Sequence, residues 1–265
     1  MAELPAESVA TGLAGVALRP VRDTNAFEAT VGQLATAIRL GVFAEGDRLP
    51  PERVLAASLR VSRATLREAI AALRQAGLVT TRSGRGGGTV VARTLPGDAA
   101  ADEIERRTQA QELVASHLDS YRDVLILRRV IEPGAAAVAA SRELTTRQRE
   151  WLRTALADVS NAPDPLLYQQ ADSRLHLAVA KLSGSSRLLE LATAVRRDLH
   201  DLLTAIPVLA VNIAHSNADH CRVVEAILAG DDELARTVME SHCDASAALL
   251  RGLLGLEDTP PRRNI

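Results

Sequence analysis

The scarcity of aromatic side chains is the feature that most restricts how this chain can fold. Of its 265 residues, one is Trp, two are Tyr and two are Phe, whereas 47% are hydrophobic. The core must therefore be built from Ala, Leu, Val and Ile, and these side chains favour packed helices over sheets of aromatic-rich strands. A chain of this length can form two modest domains, each with its own core.

Charge is unevenly distributed along the chain, although the formal net charge is only −2. Residues 21–94 contain 11 Arg and 6 Asp or Glu, which gives +5. Residues 95–265 contain 19 Lys or Arg and 25 Asp or Glu, which gives −6, and residues 1–20 contribute −1. A basic N-terminal part beside an acidic remainder indicates that only the first part binds a polyanion.

Neither a membrane span nor a secretion signal is indicated by the sequence. No apolar stretch is long enough to cross a bilayer, and the first 20 residues lack the basic start and apolar segment of a signal peptide. Two cysteines, Cys221 and Cys243, do not make a disulfide framework. We therefore expect a cytoplasmic protein without a membrane partner.

The pattern of residues 21–94 predicts three helices followed by a two-stranded ribbon. Ser62 is placed to cap the third helix, and a turn at AEGDRLPPE separates the first two. The predicted helices are AFEATVGQLATAIRLG, ERVLAASLR and RATLREAIAALRQA, and the predicted strands, LVTTR and TVVAR, flank the loop SGRGGG.

The rest of the chain is predicted to be helical, apart from its ends. Residues 1–20 and 257–265 have the weak patterning of disordered tails, and residues 95–115 form a linker region. An all-helical domain is expected over residues 116–256. Its helices should be interrupted near Pro133-Gly134, NAPDP, LSGSS, Pro207 and AGDD.

A helix, a short turn and a capped second helix rich in arginine form the pattern of a helix-turn-helix DNA reader. Ser62, Arg63 and Thr65 lie in the first turn of the second helix, which such motifs insert into the major groove. Arginine pairs with guanine edges, while hydroxyls and helix N-terminal amides bind phosphates. Arg53 would touch the flanking backbone, and the glycine-rich loop would form a wing. The alternative is a helical subdomain whose arginines are merely solvated.

Asp172 and His176 lie four residues apart, so they share one helix face. His220 and His242 should lie on two helices of an antiparallel hairpin, because AGDDE interrupts the helix between them. Three imidazoles and a carboxylate converging inside a bundle would suit Zn, Ni, Mn or Fe(II). The alternative is that each His is half-exposed or satisfied by ordinary partners, and these residues alone do not decide between the two.

Several stretches resemble one family of bacterial regulators. Residues 49–91, from LPPERVLAASLRVSRATLREA to the glycine-rich wing, resemble the winged helix-turn-helix of GntR-type transcription regulators. Three later stretches resemble the helical FCD effector domain of the FadR-type branch: LILRRVIEPGAAAVAA, ADSRLHLAVAKLSGSS and DHCRVVEAILAGDDELARTVMESHC. The resemblance implies a mostly α fold, with an N-terminal winged helix-turn-helix domain (21–94) followed by an all-helical antiparallel bundle that binds an effector (116–256).

The resemblance also assigns roles to individual residues. Arg128 matches the family's Arg-x-x-[Leu/Ile]-Glu motif and is implied to hold an effector carboxylate, and the alternative is a structural ion pair with Glu132. Ala64 and Leu175 depart from the family pattern, where larger or polar residues and Phe are common. The implied DNA contacts are Arg53, Ser62, Arg63, Thr65, Arg67 and Gly84. The implied ligands of a divalent metal ion are Asp172, His176, His220 and His242.

Together these observations predict a DNA-binding transcription regulator, a repressor rather than an enzyme. We expect a homodimer that reads a palindromic operator in double-stranded DNA and is controlled by a small carboxylate or acyl ligand. One alternative is a metal-free regulator that responds to acyl-CoA or fatty acid. The other is a metal-dependent hydrolase that activates water, although no separate general base is evident.

Overall fold

The computed structural model describes residues 26–75, 77–82, 88–92, 99–206 and 210–254, and these ranges contain ten helices and two strands. The N-terminal elements are α1 (Ala26–Arg39), α2 (Glu52–Leu59), α3 (Arg63–Gln75), β1 (Val79–Arg82) and β2 (Gly88–Val91). They are followed by α4 (Ala99–Ser116), α5 (Leu118–Ala140), α6 (Thr146–Ser160), α7 (Pro165–Leu182), α8 (Ser186–Ala205), α9 (Ala210–Ala229) and α10 (Asp232–Leu254). The mostly helical fold class is confirmed. The predicted tails at residues 1–20 and 257–265 lie outside the described residues.

Backbone contacts divide the chain into two compact units. The first contains the described parts of residues 1–96 together with residues 144–193, and the second contains the described parts of residues 97–143 and 194–265. The first unit therefore combines α1–α3, β1 and β2 with α6 and α7, which the sequence had placed in the effector domain. Within the described ranges, no helix combines the length and the apolar character that a membrane crossing requires.

Leucine side chains hold α1, α2 and α3 together. Leu34 of α1, Leu59 of α2 and Leu66 of α3 are each fully buried. Arg60 ends α2 in the left-handed conformation at φ +53°, and the chain then turns directly into α3. The Ser62 Oγ atom accepts a hydrogen bond from the Thr65 amide at 3.0 Å, so the predicted N-cap of α3 is confirmed.

The predicted ribbon is present and gains a third segment. β1 and β2 pair antiparallel in a register that sets Val79 opposite Val91. Residues 46–49, which the sequence indicated only as a turn, run along the free edge of β2. There the Gly46 amide donates to the Val91 carbonyl, the Val91 amide to the Asp47 carbonyl and the Leu49 amide to the Thr89 carbonyl, at 2.9–3.1 Å. The turn between α1 and α2 is therefore attached to the ribbon by backbone hydrogen bonds.

Most of the predicted linker region, residues 95–115, is the helix α4. Ala110 and Val114 of α4 are buried in an apolar cluster of the second unit, so this segment is part of a core. The apolar positions four residues apart explain why it packs as a helix. The other buried members of this cluster are Tyr121, Leu125, Leu199, Leu202, Ala205, Ile206, Ala247 and Leu250.

The break predicted at Pro133-Gly134 is wrong, because α5 continues through Pro133. Proline removes one backbone donor from a helix interior. Residues on both sides of it, including Ile131, Ala135 and Ala136, are buried and hold the helix together by packing. The breaks predicted at NAPDP, LSGSS and AGDD are confirmed by the ends of α6, α7 and α9, while Pro207 lies outside the described residues.

Candidate metal centre and DNA-binding surface

The helix α7 presents one acid and one imidazole on a buried face. It begins where the Asp164 carboxylate accepts a hydrogen bond from the Leu167 amide at 2.9 Å, with Pro165 in the first turn. Asp172 and His176 follow at the predicted four-residue spacing, and both are buried. The His176 Nε2 atom lies 3.7 Å from the Asp172 Oδ1 atom. Local capping and helical spacing thus place both side chains together.

Two further imidazoles meet between α9 and α10. The chain reverses at Gly230, whose φ is +80°, and the Asp231 carboxylate accepts a hydrogen bond from the Leu234 amide at 2.9 Å. His220 of α9 and His242 of α10 are buried, with ring centroids 4.7 Å apart and ring planes inclined by 52°. The hairpin therefore brings together two residues that are 22 positions apart in the sequence.

All four predicted metal-ligating side chains belong to one buried group. The potential ligand atoms of Asp172, His176, His220 and His242 lie within 4.8 Å of one another. Burying three imidazoles and a carboxylate among apolar residues is costly unless they gain partners. One cation would interact with all four, and a set of nitrogen and oxygen donors suits Zn, Ni, Mn or Fe(II) without selecting one of them. The residues present fit a divalent metal ion.

Asp219 is a neighbour of this group that the sequence analysis missed. Its Oδ2 atom lies 3.9 Å from the Nδ1 atom of His242, so its carboxylate faces that ring. A carboxylate next to the second nitrogen of a metal-binding imidazole orients the ring and raises its basicity. Asp219 directly precedes His220, but adjacent helical residues point about 100° apart. Only the packing of α9 on α10 reveals that it faces a different histidine.

A second buried polar group surrounds Glu132 of α5. The Arg128 Nε atom donates to the Glu132 Oε2 atom at 2.9 Å, and the Arg128 Nη1 atom donates to the Ser246 hydroxyl at 2.6 Å. The Arg196 Nη1 atom lies 3.7 Å from the Glu132 Oε1 atom. The ion pair that was the alternative role for Arg128 is therefore present. Among Arg128, Glu132 and Arg196, two guanidinium charges face one carboxylate.

Cys243 borders the same group and remains a thiol. Its Sγ atom donates to the Glu132 Oε2 atom at 3.5 Å, and the residue is 2% exposed. Burial is the main cause that raises the pKa of the Cys243 thiol to about 12. The thiolate that would bind a metal is therefore not formed near neutral pH. Cys243 is buried, whereas Cys221 is half-buried.

The predicted DNA contacts lie at the start of α3 and on α2. Arg53, Ser62, Arg63 and Arg67 are exposed, while Thr65 is half-buried and its hydroxyl lies 2.8 Å from that of Ser62. The Arg67 Nε atom donates to the Glu52 Oε2 atom at 2.7 Å, a contact that the sequence did not reveal. This ion pair joins α2 to α3 and orients the Arg67 side chain. Gly84 lies outside the described residues.

Because Glu132 is buried, its contribution to the stability of the fold can be tested by substitution. We expect Glu132→Gln to lower the free energy of unfolding by about 3–5 kcal/mol, because it leaves two buried guanidinium charges without their shared carboxylate. Urea unfolding followed by circular dichroism measures this loss.

Glu240→Gln is the matched control, because Glu240 pairs with Arg129 at 2.6 Å on an exposed surface. It should leave the free energy of unfolding almost unchanged, since exposed ion pairs contribute little. Equal effects of the two substitutions would show that the Glu132 group does not stabilise the fold.

Comparison with protein families matches two different families to separate parts of the sequence. A family described as "Bacterial regulatory proteins, gntR family" matches residues 27–91, which contain α1–α3 and the ribbon. A family described as "FCD domain" matches residues 123–245, which contain all four potential metal ligands, Arg128 and Glu132.

Several named proteins are similar over most of the chain. A protein of Escherichia coli (strain K12), named as a regulatory protein of the L-lactate dehydrogenase operon, is 33% identical over 205 residues, which cover 74% of this chain and 75% of that protein. The HTH-type transcriptional regulator LutR of Bacillus subtilis is 28% identical, covering 81% of this chain and 96% of LutR. The HTH-type transcriptional repressor NanR of Cronobacter sakazakii is 29% identical, covering 89% of each chain.

Solved structures with similar folds include a transcriptional regulator GntR from Rhodococcus sp. RHA1, with a TM-score of 0.46 and 24% identity over 86% of this chain and 99% of that one. Another is Escherichia coli McbR/YncC, with a TM-score of 0.48 and 18% identity over 87% of this chain and 99% of that one. The families matched and the three named proteins from Escherichia coli, Bacillus subtilis and Cronobacter sakazakii are transcription regulators rather than enzymes. The chain therefore belongs to the GntR family of bacterial transcription regulators, with a GntR-type helix-turn-helix domain followed by an FCD domain.

Proposed function

We propose that this regulator is a cytoplasmic, metal-containing repressor that releases a palindromic DNA operator when a small carboxylate binds its FCD domain. The observation that carries this proposal is the buried group of Asp172, His176, His220 and His242, whose potential ligand atoms lie within 4.8 Å of one another. Removing three imidazoles and one carboxylate from water together costs free energy. Side chains without a shared role would be expected to stay in contact with water instead.

The exposed first turn of α3 supports the DNA-binding part of the proposal. Arg63 reads a guanine edge, while Ser62 and Thr65 contact phosphate through their hydroxyls and the helix amides. Arg53 contacts the flanking backbone from α2. The ion pair between Arg67 and Glu52 keeps the Arg67 guanidinium beside this surface. Gly84, in the wing loop, approaches the DNA backbone.

The assembly follows from how such readers meet DNA. One recognition helix reads only a few base pairs, so a homodimer with two-fold symmetry reads a palindrome with half-sites about one helical turn apart. Repression is supported by the relative from Cronobacter sakazakii that is named as a repressor.

Four side chains, Asp172, His176, His220 and His242, would hold the metal, and Asp219 would orient His242. When bound, the ion would supply positive charge inside the FCD domain, which would attract an anionic effector. The protein contributes a preformed and buried donor set, which confers affinity without a large rearrangement.

A carboxylate effector is supported by the guanidinium groups around Glu132. Arg128 and Arg196 are both buried, and a guanidinium has five N–H donors, so the contact with Glu132 and a contact with an effector are compatible. The similar Escherichia coli protein is named for a lactate dehydrogenase operon. A small hydroxycarboxylate is therefore the first effector to test, and acyl-CoA is the alternative.

DNA binding is tested on a site selected from random-sequence duplexes by the full chain. Arg63→Ala should weaken binding to the selected site by about 1–3 kcal/mol, because a base contact is lost, and should affect random DNA much less. Fluorescence anisotropy at constant salt measures both affinities. Arg153→Ala removes an exposed arginine from α6 and should leave both unchanged. Equal losses on both DNAs would assign Arg63 to a phosphate instead.

Metal binding is tested with untagged protein that has been stripped by a chelator. We expect one equivalent of Zn²⁺ or Mn²⁺ per chain and a higher melting temperature on binding. His220→Ala should abolish this binding, because a ligand is lost. Asp219→Asn should weaken it by about 10–100-fold, because the ring of His242 loses its orienting carboxylate. Calorimetric titration and elemental analysis provide the measurements.

The control for the metal series is His215→Ala, because His215 lies on the same helix as His220 but is exposed. This variant should bind metal as the unaltered chain does. A chain that binds no metal, or a His215 variant that loses binding as completely as the His220 variant, would contradict the proposed centre.

Effector binding is tested by thermal shift of the metal-loaded protein with L-lactate, other small carboxylates and acyl-CoAs. A carboxylate at 100 times its Kd should stabilise the protein by about 2.7 kcal/mol and release the selected DNA site. Arg128→Lys keeps the charge but removes the planar pair of donors. It should therefore weaken binding of the carboxylate and leave metal binding unchanged. A response to acyl-CoA alone, equal with and without metal, would favour the alternative regulator.

A further inference from the structure

A contact joins the metal-ligating helix to the DNA-binding domain within the first unit. After α1, the chain reverses at Gly41, whose φ is +67°, with the Val42 amide donating to the Ala37 carbonyl at 2.9 Å. The Nη1 atom of Arg174, on α7, donates to the Gly41 carbonyl at 3.1 Å. This hydrogen bond connects residues that are 133 positions apart in the sequence.

The turn and α7 lie so close together that a residue with a Cβ atom does not fit at position 41. A Cβ atom added to Gly41 would lie 2.7 Å from the Cβ atom of Gln170 and 2.8 Å from the Nη1 atom of Arg174. Gly41 and Gln170 are both buried. Gly41 has no side chain and adopts a positive φ, and both properties allow the turn to pack directly on α7.

The position of Arg174 on α7 makes this contact sensitive to the metal-ligating residues. Arg174 lies two residues from Asp172 and two from His176, so it points to roughly the opposite side of the helix. One face of α7 therefore carries two potential metal ligands, and another face holds the turn. A rotation or shift of the helix that suits the ligands must also move the Arg174 donor.

Burial lowers the pKa of the Arg174 guanidinium overall, and the carboxylates of Asp158, on α6, and Asp47, beyond the turn, only partly oppose this shift. Asp47 belongs to the segment that follows Gly41, so it attracts the same guanidinium that holds the Gly41 carbonyl.

The turn at Gly41 is in turn attached to the wing. Residues 46–49 make backbone hydrogen bonds to Thr89 and Val91 of β2, and Arg48 pairs antiparallel with Val90. The segment that follows Gly41 is therefore held on β2 by backbone hydrogen bonds. The wing loop between β1 and β2 carries the proposed DNA contact Gly84.

We propose that the Arg174–Gly41 contact transmits occupancy of the metal centre on α7 to the wing of the DNA-binding domain. This inference rests on the proposed metal centre. Metal binding fixes Asp172 and His176 and thereby favours the arrangement of α7 in which Arg174 holds the turn. A ligand shifts an equilibrium only between states that it binds unequally. The ion would bind more tightly when Arg174 holds the turn, so the turn is held less firmly when the centre lacks its ion.

Amide hydrogen exchange of the full chain, stripped and then loaded with Zn²⁺ alone, tests this coupling. In the unaltered chain, Zn²⁺ should slow exchange of residues 41–47 by about fivefold or more, the lower end of usual coupling between two sites. Arg174→Met keeps the packing of the stem and the helix propensity but removes the donor. It should bind Zn²⁺ with the same stoichiometry and lose the response of residues 41–47.

Two further variants serve as controls. Arg153→Met, an exposed substitution on α6, should keep the full slowing of exchange at residues 41–47. Arg174→Lys, which retains a charge and a donor, should keep part of this slowing, and it replaces Arg174→Met if that variant does not fold. The coupling is overturned if Arg174→Met retains the full response, or if the unaltered chain binds Zn²⁺ without slower exchange in the turn. In both of these cases the proposed metal centre is not contradicted. A chain that binds no Zn²⁺ would overturn the metal centre as well as the coupling.

Discussion

Desolvation of charged and imidazole side chains in an aliphatic helical core is the constraint on which the rest of the structure depends. The described core consists mainly of Ala, Leu, Val and Ile, which offer no polar partner to a buried group. Asp172, His176, His220 and His242 are nevertheless collected in one place, and Arg128 and Arg196 share Glu132. Each of these groups is tolerated because it meets other polar atoms.

In the DNA-binding elements, by contrast, the charged side chains are exposed rather than buried. Their leucines hold α1–α3 together, while the arginines of α2 and α3 stay exposed and available to phosphates and bases. Positioning of this surface depends on a few polar contacts: the Ser62 cap, the Arg67–Glu52 ion pair and the backbone bonds between residues 46–49 and β2. A surface of this kind responds to small shifts in its supports, which makes its attachment to α7 at Gly41 relevant to regulation.

Much of the fold and of the site could be predicted because the signals are local. The spacing of Asp172 and His176, the Ser62 cap and the turn at AGDD each depend on residues within a few positions of one another. The confirmed helix boundaries at residues 161–164 and 183–185 have the same origin. Most of the predicted linker region forms α4, and sequence alone did not indicate that Ala110 and Val114 are buried against helices that are distant in the sequence. Pro133 similarly stays inside α5 because its neighbours are buried, which no local propensity reports.

The sequence by itself determined a helical protein with a basic, winged N-terminal domain, and it identified the three histidines and the aspartate that form the buried group. Periodicity, capping residues and family resemblance are sufficient for these features, because each depends on residue type and spacing along the chain. Only the tertiary structure decided that Asp219 faces His242, that Arg196 joins Arg128 at Glu132, and that Arg174 holds Gly41. These contacts join residues between 23 and 133 positions apart, and they depend on how helices rotate and pack, which local sequence does not specify.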